Sequence, residues 1–394
     1  MKNKTNKPGI LWRAFKAYLR FIHDKIYYKK TYCINSEAIP KVGVPTLIVS
    51  NHQNCLNDPL GVQFTFRDRK PYFIARASVF ELHPIANKFL RSVGLLPAFR
   101  LDYEGEGALG KNDEIFKITE KELVDGGTVV MYPEAGHQDK RWLGSFSMGY
   151  LKLAFEAAEM DNFNTEIFIL PSCNHYRDYK EIQGQFMVKY GTPISLKPFY
   201  ELYKTKPRTA KREVNALVRE QISSLMLNIE DLDNYKAIDY IRTTFGKEYA
   251  AKRGVDINYL PDMLISDKEL CAKLEGLSAE SPQEAKEIFD LATQVEEGVA
   301  QIGCKDMALE RKPSGVKAIA KLLLALIFAP IYLFSLWPAA FLYWIPVLMH
   351  KKLSTDIMFF GTFIYALNVL FFIPIFSVAV FFITYLNTGV WWMG

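Results

Sequence analysis

The chain has 394 residues, 49% of them hydrophobic and 23% charged, which suits two or three structural units and excludes a disordered chain. A net charge of +5 is too small to argue for nucleic acid. Five cysteines lie far apart with no CxxC pair, which excludes a disulfide scaffold and a thiolate zinc site and favours a reducing compartment.

At the N-terminus, within residues 1–43, Leu11, Phe15, Tyr18, Leu19, Ile22 and Ile26 follow helical spacing. Lys16, Arg20, Lys25, Lys29 and Lys30 are interleaved with them, so no uninterrupted apolar core of a signal peptide forms. The pattern predicts an amphipathic helix lying on anionic lipid; an ordinary docking helix is the plainer alternative. Residues 44–196 then alternate two periodicities. Strands are predicted at Thr46–Ser50, Tyr72–Ala75, Thr128–Tyr132, Glu166–Pro171 and Gln185–Tyr190, with helices between them such as Asn112–Val124 and Phe146–Met160. That alternation implies an α/β domain. Residues 197–318 are rich in Lys, Glu and Ala, with Val214, Leu217, Val218, Ile222 and Leu225 at helical spacing, and read as a separate helical module.

The last part, 319–394, changes character. Residues 322–349 and 357–394 form apolar runs of 28 and 38 residues without a formal charge. A bilayer core needs roughly 20 apolar residues as helix, so both runs read as transmembrane. Arg311, Lys312, Lys317 and Lys321 precede the first run and Lys351 and Lys352 follow it, which would keep both flanks cytoplasmic. With Pro330, Pro338 and Pro346 inside that run, a re-entrant hairpin stands beside a simple span.

Four short constellations carry chemistry. His52 follows the strand Thr46–Ser50, at the strand end where α/β enzymes place reacting groups, and Asp58 is the nearby carboxylate. A neutral imidazole can take a proton from an alcohol while a carboxylate fixes its tautomer. Six residues of regular helix would put the two on different faces, so the segment must turn, as Asn54 and Asn57 allow. Taken alone, such a pair fits a structural histidine better than a catalytic one. Pro133-Glu134-Ala135-Gly136-His137 follows the strand Thr128–Tyr132; Ala135-Gly136 permits close backbone approach, and Lys140 and Arg141 could neutralise a phosphate. Gly94 to Arg100 ends in another potential phosphate ligand, and Ile169-Leu170 runs into Pro171.

Order and spacing together resemble the glycerol-phosphate/lysophosphatidate acyltransferase superfamily over about residues 44–195. Its four blocks would be His52…Asp58, Gly94…Arg100, Pro133-Glu134-Ala135-Gly136 and Leu170-Pro171, and Phe73-Ile74-Ala75-Arg76 is similar to its Ala-Lys block. The family's usual His-x4-Asp is His-x5-Asp here, and its Pro-Glu-Gly-Thr-Arg is Pro-Glu-Ala-Gly-His. Both departures are similar to the fungal-type glycerol-3-phosphate acyltransferase branch, which also places hydrophobic segments after the catalytic domain.

The resemblance implies a glycerol-phosphate acyltransferase-like α/β domain, followed by the helical module and C-terminal transmembrane helices. It implies a membrane-bound O-acyltransferase of phospholipid biosynthesis. His52 and Asp58 would deprotonate a hydroxyl of glycerol-3-phosphate or 1-acyl-glycerol-3-phosphate, and acyl-CoA or acyl-carrier protein would be the donor. Arg100, Glu134, Gly136, Arg76 and Lys140 would bind substrate. No cofactor, metal or nucleic acid is expected; the partners are the bilayer, the donor and the acceptor, with the catalytic domain on the cytoplasmic face. Other readings are an acceptor from another lyso-lipid class such as an amino-acid lipid, a thioesterase-like hydrolase, a Cys55 nucleophile, and a non-enzymatic scaffold.

Overall fold

The structure is a computed structural model. It describes residues 8–391, apart from 78–79, 82–83, 99–106, 135, 137–139, 180–181, 304–313 and 354–355. The chain forms two compact units, residues 1–228 and 229–394.

The first unit is built on an eight-stranded mixed sheet. Its strands are β1 Lys30–Ile34, β2 Thr46–Ser50, β3 Tyr72–Arg76, β4 Leu95–Ala98, β5 Thr128–Met131, β6 Phe168–Tyr176, β7 Gln185–Tyr190 and β8 Ile194–Ser195. The order is β1-β7-β6-β2-β5-β3-β4, with β8 pairing β6. The run β6-β2-β5-β3-β4 is parallel; β7 joins β6 antiparallel and β1 lies parallel to β7. β2 is central, and all five of its residues are buried. A parallel strand covered on both faces reads as a continuous apolar run, and Thr46-Leu47-Ile48-Val49 does.

Successive residues of the strands serve opposite faces. Leu47, Val49, Val129 and Ile169 join one core cluster with Leu151, Ala154, Phe155 and Ala158 of helix Gly149–Met160. Helix Asn57–Thr65 follows β2 and comes close to β7 at Gly61, where a Cβ would lie 2.3 Å from the Phe186 ring. Only glycine lets the helix seat there without moving that ring.

All five expected strands are present, β2 and β7 with the expected ends, while β6 runs on to Tyr176. The short strands β1, β4 and β8 are additional; each is two to five residues and carries no clear period of its own. At the N-terminus the helix Ile10–Phe21 buries none of its residues, and the chain then tightens into a π-helical turn, Ile22–Tyr27, that buries Ile22, His23 and Tyr27. So Ile22, which continues the apolar stripe in sequence, belongs to the core.

The helix Pro207–Leu225 also differs from expectation. It packs on the α/β core through Ala210, Val214, Val218, Ile222 and Leu225, so the first unit runs on to Asn228 and does not stop at 196. Leu217, at the edge of that stripe, is exposed. In the second unit, helices Tyr235–Lys252, Leu260–Glu280 and Pro282–Ile302 pack together, with Arg242 buried between Asp239 at 2.7 Å and Asp267 at 3.1 Å. Two helical stretches, Gly315–Leu336 and Ile357–Thr388, are long and apolar enough to cross a bilayer, at 22 and 32 residues with mean hydropathy 2.2 and 2.5. No residue of the apolar window of the first is buried. Asn368, inside the second stretch, is buried and donates to the Leu342 and Ile364 carbonyls, both at 2.7 Å. Arg311 and Lys312 lie outside the described residues.

Candidate active site

The C-terminal edge of the parallel strands gathers the sequence's histidine, its carboxylates and a group of buried polar residues. From β2 the chain continues through Asn51 to Gln53, bends at Asn54, turns at Cys55 and Leu56, and enters the helix at Asn57. That turn brings the two ends of the His-x5-Asp segment together. His52 Nδ1 lies 2.8 Å from Asp58 Oδ2, and since a carboxylate only accepts, the imidazole donates. The same Oδ2 accepts the main-chain N–H groups of Gln53 at 2.7 Å and Asn54 at 2.8 Å. Oδ1 accepts the Tyr176 hydroxyl. Asp58 is fully buried, so these bonds replace water around the charge, and its place in the first helical turn adds the favourable end of the helix dipole. The His52 side chain keeps 17% exposure, enough for its ring to reach a substrate.

Further residues hold this pair. The Tyr132 ring stacks on the His52 imidazole with centroids 4.4 Å apart and 25° between planes. Asn51 bridges to β6: its Oδ1 accepts the Asn174 N–H at 2.8 Å and its Nδ2 donates to the Asn174 carbonyl at 3.1 Å. Burial and the Asp58 charge push the Tyr176 and Tyr132 hydroxyls far above the usual phenol range, so Tyr176 stays protonated and able to donate. Neither Asn174 nor Tyr176 is signalled by the sequence; Tyr176 lies 118 residues from Asp58.

Glu134 comes from the end of β5, beside β2. One carboxylate oxygen accepts the His52 main-chain N–H and the other the Gly144 N–H, both at 2.9 Å. Both oxygens therefore tie loops together, where the sequence suggested substrate binding. Burial pushes its carboxyl above the ordinary range, and the two N–H donors partly offset that. Gly136 is exposed, and a Cβ there would meet nothing nearer than 4.0 Å, so there is open space at this turn. Lys140 is exposed, with its ammonium 4.5 Å from the Trp142 ring centroid, and its carbonyl accepts from Gln53 at 3.2 Å. Arg141 points the other way. It is buried, donates to the Tyr176 and Arg177 carbonyls and stacks on Tyr179, so it braces the end of β6 and is not presented to a phosphate. Arg76 ends β3, but its side chain, like the whole of Arg100, lies outside the described residues. Cys55 sits in the turn, half-buried. Among the described residues no three His, Cys, Asp or Glu side chains gather as a metal site.

A histidine oriented by a buried carboxylate at a parallel strand's C-terminal end is an arrangement for proton removal from a hydroxyl. Residues 30–174 match the family model described as Acyltransferase. The match starts at β1, earlier than the motifs alone suggested, and ends at Asn174 beside Tyr176. The chain is also similar to glycerol-3-phosphate O-acyltransferase 2 of Saccharomyces cerevisiae, 25% identical over 135 residues, which are 34% of this chain and 18% of that protein. It thus spans less than a fifth of the length of that relative. Among solved structures, the 1-acyl-sn-glycerophosphate acyltransferase PlsC of Thermotoga maritima aligns over 55% of this chain and 78% of that chain, at 16% identity and a TM-score of 0.36.

Proposed function

We propose that this acyltransferase domain moves a fatty acyl group from acyl-CoA or acyl-carrier protein to a hydroxyl of glycerol-3-phosphate or 1-acyl-glycerol-3-phosphate, at a membrane. The observation that carries the reading is the His52–Asp58 pair in a domain of this family. With Nδ1–H donated to Asp58, Nε2 is the nitrogen that takes the acceptor's hydroxyl proton. The acceptor oxygen attacks the thioester carbonyl, the C–S bond breaks, and the imidazolium returns its proton to the leaving thiolate. Asp58 stabilises the imidazolium between those two transfers. We assign Lys140, Gly136, Arg76 and Arg100 to the acceptor phosphate on the sequence motifs that carry them, and Glu134 contributes by holding the His52 backbone in place.

The apolar helices support integral membrane attachment. The donor, a water-soluble thioester of the cytosol, supports a catalytic domain on the cytoplasmic face, which protease accessibility in sealed vesicles of known orientation would test.

The deciding assay supplies purified protein with radiolabelled acyl-CoA, or acyl-carrier protein, and each acceptor in turn. Labelled lysophosphatidate or phosphatidate is expected; release of free fatty acid alone would make the protein a hydrolase, and no turnover with any acceptor would refute the reading. His52→Ala is expected to lower the rate about 10² to 10⁴-fold while leaving the fold intact. A variant keeping more than about a tenth of the activity would remove His52 from the base role.

A further inference from the structure

The segment between Pro133 and Ser147 connects Glu134 to a part of the chain that the acyltransferase match does not reach. Its base is closed by Ser147 N–H donating to the Pro133 carbonyl at 2.8 Å. Its returning limb lies against helix Pro207–Leu225 and the residues that follow. The Leu143 N–H donates to Asn228 Oδ1 at 2.7 Å. The Arg219 guanidinium donates to the Gly144 carbonyl and lies 4.8 Å over the Phe146 ring. Gly144 is engaged on both sides of its backbone, because its N–H is the one held by Glu134 Oε2. Glu134 Oε1 in turn holds the main-chain N–H of His52. The links therefore run without a gap from Arg219 through Gly144 and Glu134 to the backbone of the histidine.

We infer that Arg219 and Asn228 are positioning residues for His52, acting through Gly144 and Glu134. A planar guanidinium suits this task, since it can donate in its plane while stacking on an aromatic face. A shift of the 142–146 limb would move Glu134 and then the His52 main chain, and displacements of about 1 Å at a reacting group can cost on the order of 100-fold in rate. The role also explains why this helix is packed into the catalytic unit and is not a separate module. The inference rests on the acyl-transfer reading for its kinetic consequence, but the linkage itself can be measured without it.

The test is a double-mutant cycle on the full-length protein, with Arg219→Ala, Glu134→Gln and both together, and with Arg219→Lys and Asn228→Ala as milder partners. Arg219→Ala is expected to lower kcat about tenfold with both KM values changed less than about twofold. Arg219→Lys should recover part of the loss, because an ammonium can still donate to Gly144. In the Glu134→Gln background the further loss from Arg219→Ala should fall below about threefold; a full tenfold loss there would show that Arg219 does not act through Glu134. Amide hydrogen exchange supplies the readout that does not need turnover. Exchange in the peptide containing His52 and Gln53 should rise in Arg219→Ala, with the β6 peptide unchanged, and unchanged exchange at His52 would overturn the inference. Should Arg219→Ala not fold, Arg219→Lys and Asn228→Ala carry the same two readouts. A wild-type protein without transfer activity would defeat the functional reading, while the exchange comparison would still decide whether the linkage exists.

Discussion

At the scale of single residues, the site depends on how Asp58 is held. A buried carboxylate orients His52 only if its remaining lone pairs are occupied, and two N–H groups and the Tyr176 hydroxyl occupy them. Tyr176→Phe removes one donor and leaves the ring packing in place. A hydrogen bond to a charged group contributes about 1.5–3 kcal/mol, so a fall in kcat of about tenfold or more is expected with little change in KM. Steady-state kinetics with saturating donor would check it, and wild-type turnover would show that the three N–H donors hold Asp58 unaided. Asp58→Asn should cost more, since an amide can no longer accept every donor that surrounds it and leaves the imidazolium without a counter-charge.

At the scale of elements, two contacts set how the helices seat on the sheet. Gly61→Ala puts a methyl into the Phe186 ring, which is itself packed at 4.8 Å from Tyr176 and 5.3 Å from Tyr28 and has little freedom to retreat. A loss of about 1–3 kcal/mol is expected, read as a lowered thermal midpoint, and an unchanged midpoint would mean that the aromatic cluster yields easily. Between the helices Gly107–Val124 and Gly149–Met160, the Glu120 carboxyl is pushed up to about 7 by burial and by the neighbouring Glu156, with Lys152 and Lys117 opposing. Because the folded value lies above the ordinary one, the native state holds this proton more tightly than the unfolded chain. The resulting stability is complete below about pH 4.5 and is lost as the pH rises through about 7. Glu120→Gln should therefore stabilise the protein at pH 8 by on the order of 1 kcal/mol, read as a raised thermal midpoint, and change the midpoint little at pH 5. Equal shifts at both pH values would show that charge is not the cause.

At the scale of the whole molecule, the proposed attachment to a bilayer would have two physically different sources. The stretches Gly315–Leu336 and Ile357–Thr388 would bury apolar surface in hydrocarbon, an energy that salt does not screen. Helix Ile10–Phe21 exposes Ile10, Leu11 and Phe21 beside basic residues, and any attraction to anionic lipid would be screened over about 10 Å at 0.1 M salt. Deleting residues 315–394 is expected to release most of the protein from membranes at high salt and to leave part of it bound at low salt. Fractionation at two salt concentrations checks this, and a truncated protein that resisted high salt would reveal a further integral element in the first 314 residues.

What the sequence determined by itself is local in origin. The apolar run Thr46–Val49, the alternation of strand and helix, the turn required between His52 and Asp58, and the two uncharged stretches all follow from periodicity and side-chain chemistry within one segment. The turn was legible because no regular helix can bring residues six apart onto one face. The tertiary structure alone decided which distant groups share the site. Tyr176 and Asn174 reach it because the pairing of β2 with β6 sets those strand ends side by side, and register between strands is a property of the packed sheet. It also separated Lys140 from Arg141, adjacent in sequence and equal in charge. The first stays at the surface and the second is buried against the carbonyls at the end of β6, since a guanidinium can satisfy several acceptors at once in a place where water is excluded.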